Sequence, residues 1–141
     1  MQTDSFRAHP AFLRSLKAFR RETLRDVTTQ LLTFLEDWEF ADSVDELPRK
    51  WRFEHPQGRE PAGYDFLMRR IYPTRATRAA LVFTHDWRNA WWLHIWPKQE
   101  GRDADHYGTA RDRARELWDD RQARVETMTI AGAIERASGR E

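Results

Sequence analysis

The clearest pattern along the chain is helical. Phe12, Leu16, Phe19, Thr23, Val27, Leu31, Phe34 and Trp38 recur every three or four positions, the spacing that lines one face of an α-helix. Leu13, Leu24, Leu32 and Leu35 widen that face, which predicts burial against a sheet or a second helix rather than a coiled-coil seam. The run Phe19-Arg20-Arg21-Glu22-Thr23 contains neither Gly nor Pro, so residues 11–38 fit one bent helix or a helical hairpin. Ahead of them, Phe6 and Ala8 alternate with polar neighbours and Pro10 closes the segment; this predicts a short edge strand running into a helix start.

Residues 39–63 are polar and irregular, punctuated by Pro48, Pro56, Gly58, Pro61 and Gly63, and read as a connector that Trp51 and Phe53 pin to the core. From Tyr64 to Tyr72 the pattern alternates as in a strand, with Phe66, Met68 and Arg70 on one face and Leu67, Arg69 and Ile71 on the other. Pro73 to Ala76 reads as a turn, Arg78 to Thr84 as a second strand, and His85 to Asn89 as another turn. Next comes Ala90-Trp91-Trp92-Leu93-His94-Ile95-Trp96-Pro97. So aromatic and branched a run, stopped by a proline, predicts a central strand buried on both faces. Short loops between these three strands imply an antiparallel meander. Gly101 to His106 reads as a loop. Ala110, Ala114, Leu117 and Trp118 take helical spacing, and residues 123–137 fit a further helix. The fold class is therefore α+β: an N-terminal helix or helical hairpin on a twisted antiparallel sheet of about four strands, followed by C-terminal helices.

Composition narrows the function classes. With 141 residues and no Cys, the chain is expected to form an ordinary core without disulfides or thiolate metal sites. No basic-then-apolar leader opens it and no apolar run approaches the roughly 20 residues of a membrane span, so a cytoplasmic location is expected. The net charge of +1 conceals an asymmetry. Residues 1–48 carry 6 Lys+Arg against 9 Asp+Glu, residues 49–98 carry 10 against 4, and residues 99–141 carry 8 against 10. A basic sheet framed by acidic helices suits an anionic partner such as nucleic acid; an Arg-rich genome would leave the same bias. No HExxH, Cys/His cluster or GxxxxGK loop is present, which leaves metal catalysis and phosphate-loop chemistry without support.

The order of elements, and several short stretches, resemble the RelE/ParE superfamily of small toxins, in particular its HigB-like branch. Phe6 to Lys17 resembles the family opening, a strand entering a helix of the type F-x-K-S-L-K. Pro56-Gln57-Gly58 followed by Tyr64 to Ile71 is similar to the loop and strand written L-W-E-L-R-I, Thr77 to Phe83 to Y-R-V-L-Y-F, and Leu93 to Gln99 to L-H-G-F-x-K-K. The similarity covers roughly residues 5–120, which leaves 121–141 as a C-terminal helical extension beyond the RelE/ParE-like domain of 1–120. Gln99 stands where the second family lysine would be, and Ile95-Trp96 replaces a Gly-Phe pair.

The resemblance implies a metal- and cofactor-independent mRNA endonuclease, acting on the ribosome and held in check by an antitoxin. Its alternative is a non-catalytic inhibitor of a host complex such as DNA gyrase, acting through a Trp-rich sheet and the C-terminal helix. Carried onto this sequence, the catalytic set is Arg70, Arg78, Lys98 and Tyr107, with Arg69, Arg75, Arg88 and His106 as RNA-binding residues. The chemistry is coherent. Attack of a 2′-hydroxyl on the adjacent phosphate needs cations to hold the phosphate and groups to move protons. Arg69 and Arg70 are adjacent, so only one can face a given site; Arg70 is preferred because it shares parity with Phe66 and Met68. Lys98 reads either as a phosphate contact or as a solubilising charge at a strand end. His94, inside the apolar run, reads as a core histidine satisfied by a neighbour, and the tryptophans as core rather than a base-stacking platform.

Overall fold

In a computed structural model that describes residues 1–56, 63–99 and 101–139, the elements run β1 (Ser5–Ala8), α1 (Phe12–Lys17), α2 (Arg21–Phe40), β2 (Leu67–Thr74), β3 (Thr77–Phe83), β4 (Asn89–Pro97), α3 (Asp103–Asp119), α4 (Arg121–Val125), β5 (Met128–Thr129) and α5 (Ile130–Ala137). Two short 3-10 turns, Val44–Glu46 and Arg49–Trp51, interrupt the connector. Gly58 and Pro61 of that connector, and Gln57 of the loop used in the resemblance, lie outside the described residues.

The protein is α+β, built on a five-stranded mixed sheet of order β2-β3-β4-β1-β5. β2, β3 and β4 form the expected antiparallel meander. The expectation of a wholly antiparallel sheet with β1 at its edge fails: β1 runs parallel to β4 and is itself covered by β5. A four-residue segment has no pattern that distinguishes parallel from antiparallel pairing. The reason lies in the path of the chain, which after β1 must pass through both helices before returning as the meander.

Over 11–38 the chain forms two helices. α1 closes at Ala18, whose N–H bonds the carbonyls of Arg14 and Ser15, and α2 begins after an extended Arg20 with φ −63° and ψ 150°. The break re-aims the apolar face: Phe12 and Leu16 of α1 and Val27, Leu31, Phe34 and Trp38 of α2 are all buried on one side of the sheet, while Thr23 and Leu32 are exposed. That side is a single aromatic core in which Trp38 stacks on Phe83 at 5.0 Å and Phe34 meets Trp92 edge-on at 5.8 Å. Trp51 is buried there with its indole N–H on Asp37 at 2.8 Å, and Phe53 packs on Trp38. These are the two anchors expected for the connector.

The opposite side of the sheet is covered by α3, which starts at Asp103, inside the stretch expected to be a loop. Asp103 to His106 carry no apolar residue that a helical period could use apart from Ala104, although acidic residues in a first turn suit the helix dipole. Phe66, Met68, Ala80, Val82, Leu93 and Trp96 pack beneath Tyr107, Ala110, Ala114 and Leu117. Residues 121–139 continue this body: β5 pairs with β1, and Ile130, Ala133 and Ile134 of α5 join the aromatic core. Thr129 caps α5 by accepting the N–H of Gly132 at 3.1 Å. No helix among the described residues is long and apolar enough to cross a membrane.

Candidate functional site

β2 is the free edge of the sheet, and the connector is fastened to it. Glu54 and Arg70 exchange both backbone hydrogen bonds, N–H to carbonyl at 3.2 and 2.8 Å. The chain just before Glu54 therefore stands off β2 as a wall, with Arg52 in the left-handed region at φ 51°, a conformation that costs a non-glycine residue energy and that clusters at functional sites. Between this wall, α2 and the β2–β3 turn lies a cleft of about 740 Å³. Lys50, Arg52, Arg70, Arg75 and Arg78 line it against only Asp26 and Glu54.

Arg78 is its centre. It is only 4% exposed, yet among the described residues it pairs with no carboxylate. Its guanidinium carbon lies 3.4 Å from the centroid of the Tyr72 ring, and Nη1 donates to the carbonyls of Arg75 and Thr77 at 3.2 and 3.0 Å. Its Nε is buried without a partner. Arg70 lies on the same ring at 5.0 Å, donates to the Tyr72 hydroxyl at 2.7 Å and pairs with Glu54 at 2.5 Å. A buried cation without a counter-charge is costly, and among the described residues Arg78 has none, so the pair of guanidinia held on Tyr72 has the charge and hydrogen-bond donors that suit an anion.

A second chamber of about 340 Å³ adjoins the first and shares Arg70 and Glu54 with it. Tyr107 lines this chamber, 7% exposed; the Arg70 guanidinium stands beside its hydroxyl oxygen, and its proton has no acceptor among the described residues. Burial pushes that hydroxyl above the usual tyrosine range, while the Arg70 guanidinium pulls the other way. Tyr107 is therefore a neutral O–H at neutral pH.

The sequence-derived residues thus separate into groups. Arg70, Arg75 and Arg78 line the cleft together, and Tyr107 lines the adjoining chamber beside Arg70. Lys98 is exposed at the same end of the sheet, its backbone N–H bonding the Ala76 carbonyl at 2.7 Å, but it does not line the cleft. Arg69 and Arg88 do not join the site. As strand parity required, Arg69 points to the other face, where it lies 5.4 Å from the Trp87 ring; Arg88 pairs with Asp4 at 2.9 Å at the opposite end of the strands. His106 also turns away from the cleft, stacking on Trp96 at 5.0 Å and bonding His94. Sequence reading missed Glu54, Lys50, Arg52 and Tyr72; three of them sit in the polar connector, where only the flanking Trp51 and Phe53 signal that the segment is held against the sheet.

His94 belongs to a separate buried network. Its Nδ1 meets Ser15 Oγ at 2.9 Å and Arg113 Nη1 at 3.1 Å, and its Nε2 meets His106 Nδ1 at 2.9 Å. Arginine can only donate, so Nδ1 is the acceptor, and Nε2–H donates to His106. Burial, reinforced by the nearby charges of Arg113 and His106, lowers the His94 pKa to about 3. It is a neutral core histidine satisfied by its neighbours. The β4 tryptophans are likewise internal: Trp92 and Trp96 are buried, and Trp91 is half-buried against Trp118 at 5.4 Å. Among the described residues β4 therefore presents no fully exposed tryptophan. Among the described residues no group of three or more His, Asp or Glu is placed to hold a metal ion. Comparison with protein-family models, curated proteins and solved structures returned no match to this chain.

Proposed function

We propose that the protein is an RNA-binding, metal-independent endoribonuclease of the toxin type, with the arginine cleft as its phosphate site and an antitoxin as its physiological partner. The observation that carries this reading is Arg78, a buried guanidinium with no carboxylate partner among the described residues, fixed on Tyr72 in a cleft walled by four further cations. Hydrogen bonds and charge so arranged suit a phosphodiester and its more highly charged transition state. In the proposed step the 2′-oxygen attacks phosphorus and the bond from phosphorus to the 5′-oxygen breaks, leaving a 2′,3′-cyclic phosphate and a 5′-hydroxyl. Glu54, released from Arg70 as the phosphate takes its place, accepts the 2′-hydroxyl proton. Tyr72, whose oxygen accepts from Arg70 and whose own proton has no acceptor among the described residues, gives a proton to the leaving oxygen. Arg75 in the cleft and Lys98, exposed at the same end of the sheet, add positive charge that draws the strand in.

The test is cleavage of an RNA oligonucleotide, free and on translating ribosomes, in excess chelator. Wild type is expected to produce cyclic-phosphate ends and to spare a substrate carrying a 2′-deoxy sugar at the cut. Arg78→Ala and Glu54→Gln are expected to lower the rate by at least about a hundredfold, and an Arg78→Ala, Lys98→Ala double variant to relieve growth arrest on expression. Undiminished cutting by Arg78→Ala, or cutting of the deoxy substrate, would overturn the reading.

A further inference from the structure

The smaller chamber has a chemistry unlike that of the cleft it adjoins. Its charged walls are balanced, Glu54 and Asp103 against Arg70 and Arg111, with His55, Ala104 and Tyr107 completing them. At about 340 Å³ it stands at the low end of small-molecule sites, enough for a heterocycle but not for a whole nucleotide. Two of its groups are held ready for a ligand. The indole N–H of Trp96 donates to Asp103 Oδ1 at 3.1 Å, which orients the carboxylate and leaves Oδ2 without a partner among the described residues. The Tyr107 hydroxyl, in a residue more than nine-tenths buried, has the Arg70 guanidinium beside it; a guanidinium can only donate, so the hydroxyl proton has no acceptor among the described residues, although buried hydroxyls are as a rule hydrogen-bonded.

We propose that this chamber is a nucleobase subsite selective for guanine, read by the Asp103 carboxylate and the Tyr107 hydroxyl. A carboxylate only accepts. It is matched by the two adjacent donors of guanine, the ring N1–H and the exocyclic N2 amino group, whose spacing suits a carboxylate edge. Adenine presents an unprotonated ring nitrogen beside its amino group and would set a lone pair against the carboxylate; cytosine does the same, and uracil offers one donor flanked by two carbonyls. The carbonyl O6 of guanine is the acceptor that the Tyr107 hydroxyl lacks. Arg70 and Glu54 form the boundary between chamber and cleft, so a base in the one places its phosphate within reach of the cations in the other. This deepens the ribonucleotide reading of the cleft and rests on it for the ligand's phosphate half, but the chamber can be tested with nucleosides that carry no phosphate.

The experiment is amide chemical-shift titration of the full chain with guanosine, inosine, adenosine, cytidine and uridine, and separately with inorganic phosphate. Guanosine is expected to move the amides of residues 103–107. Inosine, which lacks the N2 amino group, should bind about tenfold more weakly, and the other three at least as weakly as inosine. Asp103→Asn keeps an oxygen for Trp96 but not the second acceptor; it should abolish the preference for guanosine while leaving the phosphate response near Arg75 and Arg78 unchanged. Tyr107→Phe should weaken guanosine binding about tenfold. Equal affinity for all five nucleosides, no nucleoside response, or a guanosine preference that survives Asp103→Asn would overturn the subsite. Loss of the phosphate response alone would instead overturn the cleft reading and leave the base subsite standing.

Discussion

The two faces of the sheet solve the problem of burial differently. On the face covered by α1, α2 and α5, alternate strand positions supply Ile71, Ala79, Leu81, Phe83, Trp92 and Ile95, a mainly apolar interior in which the Trp92 indole N–H is buried without a partner among the described residues. The face under α3 mixes Met68, Val82, Leu93 and Trp96 with Arg78, His94 and Tyr107, three polar residues each under a tenth exposed. The first arrangement is what stability alone favours, because apolar burial carries no desolvation cost. Among the described residues the second keeps an arginine without a counter-charge and a tyrosine whose hydroxyl proton has no acceptor, and both border cavities. The two faces of the same strands thus differ in what they bury, with the alternation shifted in β4 so that Trp92 serves the first face and Leu93 the second. Substitutions on the two faces should differ in kind.

The largest loss of stability belongs to the first face. Trp92 is fully buried between Phe12, at 6.0 Å, and Phe34; Trp92→Ala is expected to cost about 3–5 kcal/mol, read as a fall in the urea midpoint with an unchanged slope. A loss under about 1 kcal/mol would show that this core is looser than its ring contacts imply.

On the second face the comparison is sharpened by acid. His94 is held neutral in the fold, with its pKa lowered to about 3 from an ordinary 6.5. The unfolded chain therefore binds the extra proton first. The full contribution is present above pH 6.5 and is lost progressively as pH falls from there toward 3, with a slope of up to about 1.4 kcal/mol per pH unit. His9 and His106 are lowered as well, burial being the main cause for each; the informative quantity is the difference between wild type and His94→Gln. The variant should be less stable at pH 7, because Arg113 and Ser15 lose their acceptor, and should show a flatter decline between pH 6 and pH 4. Parallel curves would mean that His94 does not titrate on unfolding.

Smaller again is the effect expected at the end of the chain. Thr129→Ala removes the side-chain cap of α5 and should cost about 1 kcal/mol, visible as a modest fall in Tm. This element also shows where sequence reading stops. The meander was legible because runs such as Ala80-Leu81-Val82-Phe83 and Trp91 to Trp96 are too apolar for any exposed role, and the parity argument separated Arg70 from Arg69 correctly. β5 was not legible, since two residues carry no period. Nor was the start of α3, whose first turn is polar, or the break at Ala18 to Arg20, which no Gly or Pro marks. A one-residue bulge in β4 is a fourth case: Ala80 pairs with His94 but Leu81 with Trp92, so Leu93 and His94 both serve the α3 side. No alternation rule could anticipate that. In the cleft, Arg70 and Arg78 were expected from the resemblance, with strand parity favouring Arg70 over Arg69, whereas Glu54, Lys50 and Arg52 arrive through the docking of an irregular connector, a tertiary event with no local signature.

The smallest expected change in stability is the most informative, and it occurs at Arg78. If this guanidinium served the fold, replacing it with the unbranched apolar Met should cost as much as other core lesions. Its environment argues the reverse. It is nearly fully buried, it stacks on Tyr72, and among the described residues its side chain donates to the carbonyls of Arg75 and Thr77 and meets no carboxylate that would offset its desolvation. Replacing buried ionic groups by well-packed apolar ones of similar volume is often neutral or stabilising, and Met can follow the same path over the tyrosine ring. Arg78→Met is therefore expected to leave Tm unchanged or raise it, while RNA affinity falls at least about tenfold and loses part of its salt dependence, because one phosphate contact is gone. A marked loss of stability with affinity intact would reverse the assignment, making Arg78 part of the scaffold and leaving the cleft's anion site to Arg70 and Arg75.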